Sequence, residues 1–357
     1  MFLPGASPFS VEPDRKAEYL AGQLAMLLEH HRTRCPGYAR LVEDWQRENA
    51  RPLSSENYPF VPVTVFKEYD LRSTSDAVMD VKSSATTSGT SARIAVDKAT
   101  GKRQNLSATK VLADFIGEKQ RPYLVFDLER TVRGSESMSA RGAAILALAH
   151  LASSFHFVMR EQDGELVVDQ QALTDALTSI GGEPFIAYGF TYLLYQAHEQ
   201  LLDSSFALNA HRDSVFLHSG GWKKLIALAV DKGAFNSAIA RPWGLAPANV
   251  IDFYGAVEQV GIPYPDCAQG LKHVPYWADV VIRRSDSLEP APAGETGLLQ
   301  LMNCLPLSAP NHSVLTEDMG RIVVEDGCPC GRRGKAFEFM GRAPRSEVRG
   351  CSDVPRH

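Results

Sequence analysis

Four short stretches and one scattered set of cysteines carry the side chains that could do chemistry. TTSGTSAR at residues 86–93 gathers hydroxyls around Gly89. Small side chains let backbone N–H groups converge there, and Thr87, Ser88, Thr90 and Ser91 add hydroxyl donors, which suits a phosphate. The same run also reads as a surface turn, and it lacks the Gly-Lys-Ser/Thr ending of a Walker A loop. IDFYGAVEQ (251–259) delivers Tyr254 on a strand, turns at Gly255 and presents Glu258. A tyrosine ring can stack on a nucleobase, and a carboxylate near a triphosphate can hold Mg²⁺. LTEDMGRIV (315–323) sets Thr316 and Asp318 before a glycine turn and a strand. That Asp can accept hydrogen bonds from a ribose diol or cap a β-turn. FMGRAPRSEVRG (339–350) holds Arg342, Arg345 and Arg349, fit for phosphate or ribose oxygens or for a solvated basic tail. Cys267, His273, Cys328 and Cys330 combine three thiols with an imidazole, the donor set of a closed, structural Zn²⁺ site. Cys35 and Cys304 read as ordinary free thiols.

These stretches need a frame to hold them. Residues 15–50 carry apolar residues at helical spacing, and residues 58–66, with two prolines, read as extended. A helix is expected at 105–116. From there strand and helix signals alternate: strands at 123–126, 185–188, 214–219 and 250–254, with helices at 173–180 and 191–202. That alternation predicts an α/β architecture with mixed sheets, whose ligands sit at the C-terminal ends of strands. Gly220, Gly221 and Gly255 fall at such ends. Beyond residue 260 proline and glycine become frequent, and strands at 280–283, 297–302 and 320–324 predict a small β subdomain. The expected division is an N-terminal helical segment (1–57), an α/β core (58–260), the β subdomain (261–340) and a flexible basic tail (341–357).

Composition narrows the field. Over 357 residues, 44% apolar and 22% charged content is that of a globular protein. A net charge of −5 offers no electrostatic footprint for nucleic acid. No run approaches the ~20 apolar residues of a membrane span. Six cysteines are too few for a disulfide scaffold, and the expected location is cytoplasmic.

In their order, the four stretches resemble the adenylate-forming (ANL) superfamily. More narrowly the chain resembles LuxE-type acyl-protein synthetases, related to the phenylacetate-CoA ligase branch. FVPVTVFKEYDL (60–71), FLHSGGWKK (216–224), HVPYW (273–277), CPCGR (328–332) and SEVRGCS (346–352) carry that narrower likeness. The resemblance implies an ANL-type α/β domain that converts a fatty or aryl carboxylate and ATP to acyl-AMP. It implies phosphate binding by Thr87, Ser88, Gly89, Thr90 and Ser91. Ser219, Gly220 and Gly221 would form a wall between adenine and acyl chain. Tyr254, next to Gly255, would stack on adenine, Glu258 would bind Mg²⁺, and Asp318 and Arg342 would hold the ribose. A cysteine near the C-terminus of such proteins accepts the acyl group, and Cys351 stands at that place. Arg349 beside it favours the thiolate. A reductase-like protein is the expected partner.

The sequence departs from the pattern at Ala92 and Arg93, where glycine and a Pro-Lys ending are usual, and at Pro344 and Arg345, where acids are common. The superfamily's C-terminal lid with its catalytic lysine is expected to be absent. Lys223, Lys224, Arg345 and Arg349 are the cations expected to replace that lysine. Two other outcomes stay open: a ligase acting on coenzyme A or a carrier protein, and a catalytically dead ATP-binding scaffold.

Overall fold

Two helices, α1 (Pro13–Arg34) and α2 (Pro36–Glu48), open the chain, and Pro36 explains why they are two. A proline drives the preceding residue out of the helical region, and Cys35 is extended at φ −125°, ψ 96°. Leu20, Leu24, Leu27 and Leu28 form the buried stripe of α1. The computed structural model describes residues 2–48, 53–77, 79–82, 92–133, 137–202, 208–222 and 227–343.

The elements continue with β1 (Val61–Pro62), α3 (Val65–Glu68), β2 (Met79–Lys82), β3 (Arg93–Val96), α4 (Lys98–Ile116) and β4 (Arg121–Val125). Helix α4 starts earlier than its apolar spacing predicts, because the Asp97 carboxylate accepts the Thr100 N–H at 2.7 Å and caps it. Next come β5 (Ser137–Ser139), α5 (Ala140–Leu146), β6 (Ala152–Phe157), β7 (Met159–Gln162), β8 (Glu165–Val168), α6 (Gln170–Ile180), β9 (Ile186–Phe190) and α7 (Thr191–Leu202). Then follow β10 (Val215–Ser219), α8 (Lys232–Ala240), β11 (Val250–Tyr254), β12 (Tyr264–Pro265) and β13 (Lys272–His273). The last strands are β14 (Ala278–Arg283), β15 (Gly297–Asn303), β16 (Ser313–Val324) and β17 (Ala336–Arg342).

The fold is mixed α/β. The first large sheet has the order β12-β11-β10-β9-β4-β6 and is parallel except at β12. Its buried strands are sheathed by helices on both faces, as parallel sheets require. Phe216 joins the core with Trp243 and α7 on one face, while Leu217 joins Tyr188 and Phe253 on the other. Burial of such a side chain contributes roughly 1.5–3 kcal/mol.

The second large sheet runs β13-β17-β16-β15-β14, antiparallel, with β1 added parallel to β16 through Val61↔Val314. Strand β16 begins at Ser313, well before the expected residue 320. Glu317 and Asp318 look like turn residues in the sequence but lie within the strand. The ladder to β17 shifts register between Met319 and Gly320, a bulge that accommodates the irregular pattern. Behind this sheet the rings of His31 and His312 stack at 4.9 Å. Both imidazoles are fully buried, and Tyr38 Oη lies 3.2 Å from His312 Nε2. No described helix is long and apolar enough to cross a membrane.

Candidate functional site

The carboxyl ends of β10 and β11 open into a cavity of about 1320 Å³. That exceeds the ~300–1,000 Å³ of an ordinary small-molecule pocket and leaves room for two substrates. Ser219, Gly220, Gly221, Tyr254, Gly255, Glu258, Asp318 and Arg342, separate in the sequence, all line it. The residues 87–91 and Cys351 lie outside the described residues, as do Lys223, Lys224, Arg345 and Arg349.

Strand β10 ends where Gly220 takes φ +76°, a conformation that glycine adopts without strain. A Cβ there would come into contact with the Phe190 ring at 3.4 Å, so the backbone angle is what calls for glycine. Alternation along the strand sends Ser219 and His218 to opposite faces. Ser219 Oγ lies 2.7 Å from Tyr188 Oη on the α4 and α5 side. His218 lies against the Phe235 ring of α8, with centroids 4.5 Å apart. The lining residues therefore fall into two branches, one on each face of the sheet. One holds Ala108, Ala143, Ala144, Ala147, Phe190 and Phe253, with Gln104 and Asn105 of α4 beside them, and is mainly apolar. The other holds Thr191, His218, Trp222, Lys232, Phe235 and Asp252, and is mainly polar.

Where the branches meet, Tyr254 Oη donates to Asp318 Oδ2 at 2.7 Å. The Tyr254 ring stacks on Phe339 at 4.5 Å, so Phe339 already occupies a ring face there. Arg342 is the cross-strand neighbour of Asp318 in the β16–β17 ladder, and its Nε stands 3.8 Å from Asp318 Oδ1. Its side chain is 68% exposed, so the guanidinium remains free to turn to another anion. Burial holds the Asp318 carboxyl above its ordinary pKa, against the opposing pull of Tyr254 and Arg342.

Glu258 sits in a short 3₁₀ turn, Val257–Gln259, and is buried. Burial pushes its carboxyl pKa up, and the Asp318 charge adds to the effect. The turn is pinned from behind: Asn311 Nδ2 donates to the Glu258 carbonyl at 2.7 Å, and Gln259 Nε2 donates to the Asn311 carbonyl at 2.7 Å. Gly261 follows at φ +94°, where a Cβ would lie 2.6 Å from Gln104 Cα of α4. Ser107 Oγ donates to the Gly261 carbonyl at 2.6 Å and locks that crossing.

Lys67 is a residue the sequence reading did not single out. It lines the cavity from α3 and donates to Glu317 Oε2 at 3.4 Å. In the sequence it is one lysine in a polar stretch, and only the closure of β1 onto β16 carries it to the cavity. Asp252 and His218, also missed, read as interior strand residues. Asp252 accepts from Lys272 Nζ at 2.9 Å, and Lys272 in turn reaches Asp266 at 3.2 Å. Lys232 bonds the other oxygen of Asp266.

The cysteine set converges too. One ligand atom from each of Cys267, His273, Cys328 and Cys330 lies within 4.8 Å of every other. Cys330 Sγ is 3.2 Å from His273 Nε2. The Gln269 N–H points to Cys267 Sγ at 3.3 Å, and Gly331 N bonds the Cys328 carbonyl at 2.9 Å, so tight turns present the thiols. The edge of a Zn-centred tetrahedron of sulfurs is about 3.8 Å, given Zn–S bonds of ~2.3 Å, and the spread of these atoms is compatible with it.

Comparison with known proteins places these features in context. The family model described as "Acyl-protein synthetase, LuxE" matches residues 2–356. A long-chain-fatty-acid–luciferin-component ligase of Vibrio harveyi is 23% identical over 301 residues, 82% of this chain and 76% of that protein. One of the same name from Aliivibrio fischeri is 28% identical over 172 residues, covering 48% of this chain and 43% of its own. A solved 2-hydroxyisobutyryl-CoA ligase, in an open conformation with 2-HIB-AMP and CoA, superposes with a TM-score of 0.71 at 14% identity. The match covers 96% of this chain and 80% of that one, and at such identity it speaks for the fold alone.

Proposed function

We propose, from the premise that this chain belongs to the LuxE acyl-protein synthetase family, that it activates a long-chain fatty acid with ATP and passes the acyl group to a protein thiol. In the first step a carboxylate oxygen attacks the α-phosphorus of ATP. The bond to the β-phosphate oxygen breaks and pyrophosphate leaves. In the second step a thiolate attacks the acyl carbon of the adenylate, a thioester forms, and AMP leaves with the bonding electrons. The thiol proton goes to solvent.

The observation that carries this reading is the meeting of two unlike branches at one polar junction. The alanine-lined branch suits a hydrocarbon chain, and the polar branch suits a nucleotide. The junction holds Tyr254, Asp318 and Arg342, whose hydroxyl, carboxylate and guanidinium match ribose and phosphate oxygens. Lys67 supplies a cation on the same wall and is our assignment for charge neutralisation at the phosphates. Glu258, with Thr316 and Glu317 nearby in the lining, offers the hard oxygen donors that Mg²⁺ prefers. When bound, that ion would neutralise charge on the phosphate oxygens. Gly220 and Gly221 let the backbone approach the adenylate closely.

Cys351 is our assignment for the thiol. A labelled fatty acid and ATP should then label the protein in a bond cleaved by hydroxylamine, and Cys351→Ser should abolish the label. Equal labelling of the variant would remove Cys351 from the scheme. Transfer of the label to an added acyl-reductase-like protein tests the proposed partner.

The Cys267–His273–Cys328–Cys330 cluster fits Zn²⁺ in donor type, number and spacing. Four protein ligands leave no open position, so the ion would clip two loops together and take no part in the reaction. Metal analysis of the purified protein should find about one zinc per chain, as a four-ligand site implies.

A further inference from the structure

Donor accounting in the polar branch fixes the protonation of His218. Thr191 has one hydroxyl proton, and its Oγ1 lies 2.8 Å from the Gly220 carbonyl and 3.2 Å from that of Ser219. With that proton committed to a carbonyl, Oγ1 faces His218 Nδ1, 2.9 Å away, as an acceptor. Asp252 Oδ1, 3.6 Å from the same nitrogen, also favours a proton there. Burial pushes the His218 pKa down to about 4, so the ring is neutral near pH 7. A neutral imidazole protonated on Nδ1 presents a bare lone pair on Nε2. His218 is 5% exposed and lines the cavity, and its Nε2 is buried with no hydrogen-bond partner among the described residues.

Leaving a buried acceptor unmet is costly, and a ligand that donates to it recovers that energy. The surroundings say which ligand. Lys272 is bound by Asp252 and Asp266, and Lys232 by Asp266, so both ammonium groups already have partners. What this wall offers a ligand is two acceptors, His218 Nε2 and the Asp252 carboxylate, beside the aromatic rings of Trp222 and Phe235. A hydrocarbon chain would leave both acceptors unmet. A flat base with an amino edge satisfies them.

The geometry points to His218 as a specificity-determining residue whose Nε2 accepts a hydrogen bond from the exocyclic amine of adenine. A 6-oxo purine would bring a carbonyl oxygen against that lone pair and be rejected. The inference rests on the adenylation reading and deepens it, by stating which atom selects the nucleotide.

The test compares ATP, ITP and purine riboside triphosphate, which carry an amine, an oxygen and hydrogen at the 6-position. Binding is measured by calorimetry and turnover by fatty-acid-dependent pyrophosphate exchange. Wild type should favour ATP over ITP by at least ~100-fold, as a site built to hydrogen-bond its ligand does. His218→Leu should lower that ratio by about tenfold or more, chiefly through ATP affinity, with purine riboside triphosphate little changed, as loss of one buried hydrogen bond implies. His218→Gln, which keeps an acceptor, should retain most of the selectivity. Thermal melting of each variant separates misfolding from loss of selectivity. An unchanged ATP:ITP ratio in a folded His218→Leu protein overturns the inference. So does an equal loss for all three nucleotides. Selective nucleotide binding with silent exchange would refute the adenylation reading and leave the assignment of His218 standing.

Discussion

The β13–β17 sheet carries two polar clusters built on opposite rules. Beside β13 and the loop before β17, Cys267, His273, Cys328 and Cys330 turn their donor atoms toward one another, and three of the four residues are buried. Where the middle of β16 faces the end of β17, Asp318 and Arg342 sit side by side, 3.8 Å apart at the ion-pairing atoms, and Arg342 is mostly exposed. The first cluster is complete within the chain once an ion joins it. The second lines an open cavity, with the Tyr254–Asp318 hydrogen bond in its wall and the Arg342 guanidinium free to turn. A clip gains from closure, whereas a site that must take and release substrate has to keep unsatisfied groups at its surface, at some expense in stability.

The contrast can be broken by substitution. The largest effect is expected at Glu258. Glu258→Gln should lower the rate of pyrophosphate exchange by about 10²–10³-fold, the scale of losing one electrostatic stabiliser. Its melting temperature should hold or rise, because an ionised carboxylate no longer has to be buried. A large fall in melting temperature would mean that this turn is structural. Cys328→Ser should show the reverse pattern: a stability loss of roughly 3 kcal/mol or more in denaturant unfolding, with the rate per folded molecule preserved. Chelator should destabilise wild type and leave that variant unaffected.

Gly261→Ala tests the joint between the two sheets. The added methyl meets backbone of α4 at 2.6 Å and the residue keeps φ +94°, so a loss of about 1–3 kcal/mol is expected. Because Gly261 backs onto the Glu258 turn, exchange activity should fall with it. Preserved activity at full loss of stability would uncouple the two.

The smallest effect is on pH dependence, and its sign differs between the buried histidines and the site carboxyls. Burial depresses His31 to about 2 and His312 to about 3, so both stay neutral in the folded protein. Unfolded, each takes up a proton below its ordinary value of 6.5. Stability should therefore fall as pH drops from 6.5 toward 4, by at most about 1.4 kcal/mol per pH unit for each histidine. Glu258 and Asp318 have raised pKa values, so in folded protein they hold protons that the unfolded chain has lost. They contribute the opposite slope, in which stability falls as pH rises above their ordinary carboxylate range. Replacing His312 with Gln should flatten the acid-side slope in urea titrations between pH 6.5 and 5, and an unaltered slope would remove His312 from this account.

The same contrast governs what could be read from the sequence. The Cys-x-Cys pair and the distant Cys-His pair stood out because sulfur and imidazole are rare, and the cluster did close. Tyr254, Asp318 and Arg342 stood out through order along the chain. Yet Asp318 was expected before a turn and lies mid-strand, since Thr316, Glu317 and Asp318 are polar enough to mimic a loop. Lys67 lies within FVPVTVFKEYDL but was given no role, because a lysine on a short helix is usually solvated and only tertiary closure brings it inward. His218 and Asp252 were hidden within strand patterns. Their importance depends on which face of β10 and β11 they occupy, and buried parallel strands lack the polar alternation that would reveal it.

The addition of β1 to β16 has a consequence for how the protein comes into being. Lys67 and Glu317 meet 250 positions apart in sequence, and Val61 pairs with Val314. Contacts that close so much chain form late and slowly. On the ribosome, β1 waits through the synthesis of the whole parallel sheet before its partner strand emerges. During that interval Val61 and Val63, both buried in the finished fold, have no sheet to pack on. The cavity is therefore assembled last, from the earliest and the latest strands of the described fold. A nascent chain stalled before Ser313 would hold the β10 and β11 wall of the cavity without Lys67 locked beside it, and would be exposed to association with other unfinished chains.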